Sequence, residues 1–268
     1  NFNKLGAKYV AVRSSATSED SASAAWAGQL DSYLNTTEGT LLENVKKCWA
    51  SLFTPRAIFY RFEKGLHKDN ISVAVVVQKM VDSESSGIAF SVHPVTQDYN
   101  QIIIEAGYGL GEAIVSGQIT PDSYVIDKLS WKIIDLNINE QSKGLFRASN
   151  GCNEWKELGG KGKEQVLSEK EIIELSKLIV RIEKHYGFPC DIEWAREKGK
   201  FYIVQSRPIT TLTKREETKT ITLVDKYLSI MGDQKFYHAV PNFVILATST
   251  KMTTSKYYDK HYKNPPPL

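Results

Sequence analysis

A short apolar run delivers an arginine into a segment of small, hydroxyl-bearing residues. Val12 precedes Arg13, and residues 14–18 read Ser-Ser-Ala-Thr-Ser. Backbone N–H groups and hydroxyls in such a loop can approach phosphate oxygens closely, and an arginine at a strand end can grip a phosphate with its planar guanidinium. An ordinary serine-rich turn with a surface arginine has the same composition and is the commoner case. The segment is therefore a candidate phosphate site that needs further support.

Carboxylate, amide and guanidinium side chains alternate along two predicted strands near residue 200. Asp191 and Glu193 share one face of the first strand, and Gln205 and Arg207 share a face of the second. A tight turn at 197–199 makes the pair an antiparallel hairpin, in which Glu193 and Gln205, separated by an even number of residues, can face the same side if the register allows. Carboxylate and amide oxygens suit Mg²⁺, and an adjacent arginine would neutralise phosphate charge. The alternative, a surface Glu–Arg cross-strand pair, is slightly favoured by spacing alone.

Composition excludes several classes of protein. The formal net charge of the 268 residues is +3, which is too small to imply nucleic-acid binding. The three cysteines are far apart and form no CxxC pair, which argues against a disulfide framework or a zinc site and predicts a cytoplasmic protein. No apolar run approaches the ~20 residues of a membrane span. The five histidines have no metal-ligand spacing, and none is predicted to be catalytic.

Strand and helix patterns alternate along the chain and predict an α/β (α+β) protein. Apolar spacing predicts a helix over 40–62, interrupted at Pro55, with a buried stripe of Leu41, Val45, Trp49 and Leu52. A second helix is predicted over 168–186, with a capping box at its start and Gly187 at its end. The patterns weaken near 211–219. We therefore divide the chain into a domain at 1–212 and a basic, unassigned extension at 213–268.

Several short motifs follow one another in a definite order along the chain. They are VRSSATSED at 12–20, AGQ at 27–29, DSYL at 31–34, CWASLF at 48–53, VVQKM at 76–80, SGIAFS at 86–91, PVT at 94–96, GLGEA at 109–113, VSG at 115–117, DIEWA at 191–195 and QSRPIT at 205–210. In this order they resemble one protein family, that of the phosphoenolpyruvate synthases and rifampicin phosphotransferases and, less closely, the pyruvate phosphate dikinases. The resemblance covers roughly residues 8–212. The ordered set is far more specific than any one motif, so the alternatives of an ordinary serine-rich turn and a surface Glu–Arg pair are no longer favoured.

The resemblance implies an ATP-grasp-like domain that binds ATP and Mg²⁺. Of the residues at matching positions, Arg13, Gly28, Ser32 and Gln78 would contact the nucleotide. Glu193 and Gln205 would also hold the ATP-linked Mg²⁺, and Arg207 would contact phosphate; Arg13 and Arg207 are the expected catalytic residues. Position 32 is Ser where relatives often have Thr, which keeps the hydroxyl.

The resemblance also implies partners outside this sequence. The family's N-terminal segment with a nucleotide-contacting lysine, its swivelling domain with a phosphorylated histidine, and its pyruvate-binding barrel have no counterpart here, so we expect an incomplete N-terminal lobe and a chain that does not complete the reaction alone. The expected activity of the whole protein is phosphoryl transfer from ATP through the carrier histidine to pyruvate. Two alternatives remain: rifampicin as the acceptor, or a nucleotide-binding module without turnover. No nucleic acid or membrane is expected as a partner.

Overall fold

The computed structural model describes residues 2–17, 26 and 28–212, apart from the side chain of Asn3. The described residues belong to one compact unit that spans Asn1–Leu212. The predicted extension at 213–268 lies outside them, so its separation from the first domain stays a prediction.

Strands and helices alternate along this part of the chain. The strands are β1 (Val10–Ala16), β2 (Ser32–Thr36), β3 (Val73–Lys79), β4 (Ser85–Phe90), β5 (Gln101–Tyr108), β6 (Asp122–Asp127), β7 (Ile133–Asn137), β8 (Lys143–Arg147), β9 (Asn153–Glu157), β10 (Cys190–Glu197) and β11 (Lys200–Pro208). The α-helices are α1 (Leu41–Ala50), α2 (Pro55–Glu63), α3 (Glu112–Val115) and α4 (Glu169–Tyr186).

The strands form three antiparallel sheets. The small sheet has the order β2-β1-β3, the large sheet has the order β11-β10-β4-β5-β6-β7, and β8 and β9 form a separate hairpin. All strand pairings among the described residues are antiparallel, and the one parallel contact is an isolated bridge between Gly109 and Leu145. This confirms the predicted mixture of helices and mostly antiparallel sheet.

The small sheet packs one face against α1. Val10 and Val12 are fully buried there together with Cys48 of the helix. The predicted interruption at Pro55 is confirmed, because a 3₁₀ turn over Ser51–Phe53 separates α1 from α2, which starts at the proline. The predicted stripe is wrong at Trp49, which is 52% exposed. A period of 3.6 residues brings position 48 rather than 49 onto the buried face.

The strand β1 is longer than the sequence analysis predicts. Residues 13–16, which we expected to begin a serine-rich loop, continue the strand and pair with β3 as far as Ala16 and Val73. Pairing with β2 on the other side reaches Arg13 and Ser32. Pairing with β3 therefore outweighs the turn preference of the serines.

The main core lies between α4 and one face of the large sheet. Ile172, Leu175 and Ile179 of α4 are fully buried against the sheet residues Ile104, Tyr124 and Ile192. The predicted ends of this helix are confirmed. Ser168 and Glu171 form the capping box, and Gly187 has the left-handed φ of 77° that glycine adopts without steric cost.

Within the described residues, no helix has the length and apolar character needed to cross a membrane. The longest, α4, spans 18 residues and carries acidic residues in its first turn and basic ones in its last.

Candidate functional site

Arg13 lies in the central strand of the small sheet and points away from α1. Its neighbours Val12 and Ser14 lie on the other face, because successive strand residues alternate, and Val12 is fully buried in the cluster with α1. Gln78 pairs with Ala11, two residues from Arg13, so its side chain lies on the same face as the arginine. The two side chains meet there, with 3.3 Å between Arg13 Nη1 and Gln78 Oε1.

The β10–β11 hairpin contributes the other half of the site. Arg13 Nη2 donates to Glu193 Oε2 over 3.3 Å and to Gln205 Oε1. Nη1 donates to the carbonyl of Val204 over 3.1 Å, and Gln78 Nε2 donates to the same carbonyl over 3.0 Å. These contacts bring together four of the residues predicted for the site: Arg13, Gln78, Glu193 and Gln205.

A β-bulge at Val204 makes this arrangement possible. The hairpin turns through Lys198 and Gly199, whose φ values of 51° and 74° fit a two-residue turn with both central residues left-handed. In the regular part, Trp194 pairs with Ile203, whereas Glu193 pairs with Gln205. Val204 is the extra residue, and without it Glu193 and Gln205 would point to opposite faces.

In the register of a regular two-residue hairpin, the even separation of Glu193 and Gln205 would place them on opposite faces. Direct partners in such a hairpin have an odd separation, and the predicted pairing arises because the bulge adds one residue to β11. The same bulge leaves the Val204 carbonyl outside the regular ladder, where Arg13 and Gln78 donate to it.

The oxygens of Glu193 and Gln205 converge on one position that holds a positive charge. Both accept from the same nitrogen, Nη2 of Arg13. The side chain of Arg13 is 24% exposed and that of Glu193 is 27% exposed, so solvent reaches the position. A carboxylate and an amide oxygen are hard donors that fit Mg²⁺. The described residues include no group of three or more acidic, His or Cys side chains that could hold a metal.

Arg207 lies two residues beyond Gln205 on the same face of β11. Its Nε donates to Asp191 Oδ2 over 2.9 Å, and its Nη2 forms an ion pair with the same oxygen at 2.8 Å. The Asp191 side chain is only 12% exposed, so a largely buried carboxylate orients the guanidinium. Asp191 was named in the hairpin motif, but this role was not predicted from the sequence. Without the bulge Asp191 would pair with Ser206, so the sequence alone gave no signal for its pairing with Arg207.

Ser32 and Gly28 lie outside the cluster formed by Arg13. Ser32 begins β2 directly opposite Arg13, so the two residues share a face of the small sheet. Gly28 is exposed and has a left-handed φ of 68°. Their predicted contacts with a nucleotide remain predictions.

Glu105 is a further carboxylate on this face, and it was not among the site residues predicted from the sequence. Strand register places Gln205, Glu193, Ile88 and Glu105 in one row across β11, β10, β4 and β5. Burial raises the pKa of the Glu105 carboxyl, and the nearby charge of Asp191 raises it further. The face therefore combines two arginines with three carboxylates, one of which resists ionisation.

Comparison with known proteins identifies the family. The family model described as "Pyruvate phosphate dikinase, AMP/ATP-binding domain" matches residues 1–227. The chain is 53% identical over 210 residues to a probable phosphoenolpyruvate synthase of Archaeoglobus fulgidus, covering 78% of this chain and 28% of that protein. It is 48% identical over 243 residues to the phosphoenolpyruvate synthase of Pyrococcus furiosus, covering 84% and 29%.

A relative with a different named activity is also similar. The rifampicin phosphotransferase of Bacillus subtilis is 43% identical over 204 residues, which are 75% of this chain and 23% of that protein. The chain thus spans less than a third of the length of each of these three curated relatives. The family match over most of the chain, together with the ordered motifs, shows that the chain belongs to the pyruvate phosphate dikinase AMP/ATP-binding domain family.

Proposed function

We propose that this chain is the ATP-binding catalytic domain of a phosphoenolpyruvate-synthase-like phosphotransferase, with an ATP-grasp-like fold. The observation that carries the proposal is the convergence of Glu193 Oε2 and Gln205 Oε1 on one cationic position. A triphosphate bound between the small sheet and the β10–β11 hairpin would bring its own oxygens to complete the coordination of Mg²⁺. Family membership and the identity to named synthases support the same function.

The cationic residues and the metal-binding residues of the site have different proposed roles in phosphoryl transfer. Arg13 and Arg207 stabilise negative charge on the phosphate oxygens as the transferred group leaves, since preorganised cations act most strongly where charge develops. Glu193 and Gln205 would hold the metal, which would supply positive charge to neutralise the triphosphate. Arg13, which donates to both of their oxygens, would donate to phosphate oxygens in the presence of the nucleotide. Further contacts to the nucleotide come from Gln78, Ser32 and Gly28.

The carrier histidine is proposed to come from another domain of the full-length protein. The described histidines have local contacts: His67 stacks on Phe62 at 5.0 Å between ring centroids, and His93 Nδ1 accepts from two backbone amides of its own turn. His185 packs edge-on against Tyr186. The phosphoryl acceptor is likewise bound elsewhere. Pyruvate is the proposed acceptor because the synthases have the higher identities, with rifampicin as the second candidate.

Nucleotide binding by the 268-residue chain is the direct test of the ATP-binding part. We expect Mg·ATP at about 100 times its Kd to raise the free energy of unfolding by ~2.7 kcal/mol, visible as an increase in melting temperature. Mg²⁺ alone at the same concentration serves as the control. An unchanged melting temperature over a wide range of Mg·ATP concentrations would contradict nucleotide binding.

The acceptor requires the complete protein. We expect AMP formation that depends on pyruvate, measured with the full-length polypeptide. AMP formation that depends on rifampicin and not on pyruvate would replace the synthase proposal by the phosphotransferase one. Nucleotide binding by the chain with neither activity in the complete protein would support a binding module without turnover.

A further inference from the structure

Two side chains of α2 contact the segment that carries Gly28, through its residues Trp26, Gln29 and Asp31. Arg56 and Tyr60 are four residues apart and so lie on one face of the helix. The Tyr60 hydroxyl accepts from the backbone N–H of Trp26 over 3.2 Å, and the two rings pack at 5.1 Å between centroids. Arg56 Nε donates to the carbonyl of Gln29 over 3.3 Å, and Nη2 pairs with Asp31 Oδ1 at 2.9 Å.

The segment is also fixed at both of its ends. Trp26 is 1% exposed and packs with Leu52, Ala57 and Ile71 in a small core under α2. At the other end, the Asp31 carbonyl accepts from the Ser14 hydroxyl of β1 over 2.8 Å. Gln29 N–H donates to the Trp26 carbonyl over 3.0 Å, which closes a turn around Gly28. Gly28 thus lies exposed between a buried anchor and the strand that carries Arg13.

The backbone of this turn has an unusual conformation. Trp26 has a φ of 53° and Gly28 a φ of 68°. A bulky residue rarely adopts a positive φ, and it keeps one only where surrounding contacts fix it. The contacts with Tyr60 and the buried packing of the indole ring supply that constraint.

We infer that α2 positions the Gly28 turn for the nucleotide, with Arg56 and Tyr60 as positioning residues that do not touch the ligand themselves. The inference rests on the proposed function, in which Gly28 contacts ATP. A turn that samples other conformations binds less tightly, because the apparent Kd rises in inverse proportion to the population of the competent conformation. Helix α2 therefore contributes to affinity by keeping this turn in place before ATP arrives.

The test compares hydroxyl removals at two tyrosines in the 268-residue chain. Tyr60→Phe keeps the ring and removes the acceptor for Trp26 N–H. Tyr186→Phe is the matched control, because the described residues offer no hydrogen-bond partner to its hydroxyl. We expect the Kd for Mg·ATP, measured calorimetrically well below the melting temperature, to rise about fivefold in Tyr60→Phe and to stay unchanged in Tyr186→Phe. Arg56→Met should have a similar effect, since it removes both contacts to the turn.

Amide hydrogen exchange gives a readout that does not depend on ATP. Exchange at residues 28–31 should be faster in Tyr60→Phe and Arg56→Met than in wild type, and unchanged in Tyr186→Phe. A Tyr60→Phe variant with wild-type Kd would overturn the inference, even if its melting temperature fell, because a purely structural contact affects only stability. A wild-type chain that does not bind Mg·ATP would instead remove the proposed function, and this inference with it.

Discussion

Gly87 lies at a point where the large sheet leaves no room for a side chain. It sits in β4, paired with Trp194 of β10 and Ala106 of β5. A Cβ added there would lie 1.8 Å from the Glu105 carbonyl oxygen and 2.9 Å from the Trp194 ring, whereas Cβ contacts below 3.0 Å essentially never occur. The closest obstacle is backbone, so Gly87→Ala must move β5 away from β4 by more than 1 Å.

We expect this displacement to destabilise the domain strongly. Overpacking of a core typically costs 1–3 kcal/mol, and loss of strand hydrogen bonds places Gly87→Ala near the upper end, at about 3 kcal/mol. For a domain of this size, that corresponds to a fall in melting temperature of roughly 6–12 °C. Scanning calorimetry, or thermal unfolding followed by circular dichroism, measures this fall in melting temperature.

Gly39→Ala provides the matched control. It lies in a 3₁₀ turn, and a Cβ there would meet nothing within 4 Å. The control should therefore change the free energy of unfolding by no more than ~0.5 kcal/mol. Equal melting temperatures for Gly87→Ala and Gly39→Ala would contradict the close packing of β4 between β5 and β10. They would also contradict the strand register that places Glu193 and Glu105 in one row across the sheet.

Three further predictions concern single residues. Because burial raises the pKa of Glu105, ionising it destabilises the fold as the pH rises through that pKa, so Glu105→Gln should be more stable than wild type at pH 7 and equal to it near pH 4 in urea titrations. Asp191→Asn weakens the hydrogen bond and removes the ion pair that orient Arg207 and should lower the free energy of unfolding by about 1–2 kcal/mol, with exposed Asp135→Asn as control; equal losses in both would contradict the role of Asp191. Ser168→Ala removes the capping box of α4 and should lower the melting temperature by roughly 2–4 °C, for a cost of ~1 kcal/mol; an unchanged melting temperature would contradict it.

Local sequence patterns predicted those elements whose ends are set by local chemistry. The helix α4 has a cap at Ser168 and a stop at Gly187, and the β10–β11 hairpin has a two-residue turn, so each was recognisable from its own residues. The β8–β9 hairpin was missed because β9 is exposed along its whole length and therefore lacks an apolar alternation. Leu145 of β8 is buried against Leu110 and Ala113, a contact that no local pattern reveals.

For the candidate site, too, the sequence predicted residues but not the contacts between distant parts of the chain. Residue types and motif order indicated Arg13, Gln78, Glu193 and Gln205, but nothing in the residues shows that Arg13 meets Glu193, which lies 180 positions away. The bulge at Val204 was equally hidden, because no glycine marks it and both flanking segments read as regular strand. Without that bulge, the predicted metal ligands would be separated by the sheet.

The most direct test of the proposed metal site measures how far Mg²⁺ strengthens ATP binding. Calorimetric titrations of ATP, with Mg²⁺ and with EDTA, are compared for wild type, Glu193→Gln and the control Glu157→Gln on the exposed strand β9. Loss of one charged ligand should cost about 1.5–3 kcal/mol, or tenfold or more in Kd. We therefore expect Mg²⁺ to tighten ATP binding in wild type and in the control, with most of that gain lost in Glu193→Gln. If Glu193→Gln acted only by releasing Arg13, ATP binding would weaken equally with Mg²⁺ and with EDTA. An undiminished Mg²⁺ dependence of ATP binding in Glu193→Gln would contradict the assignment of Glu193 and Gln205 as the metal ligands.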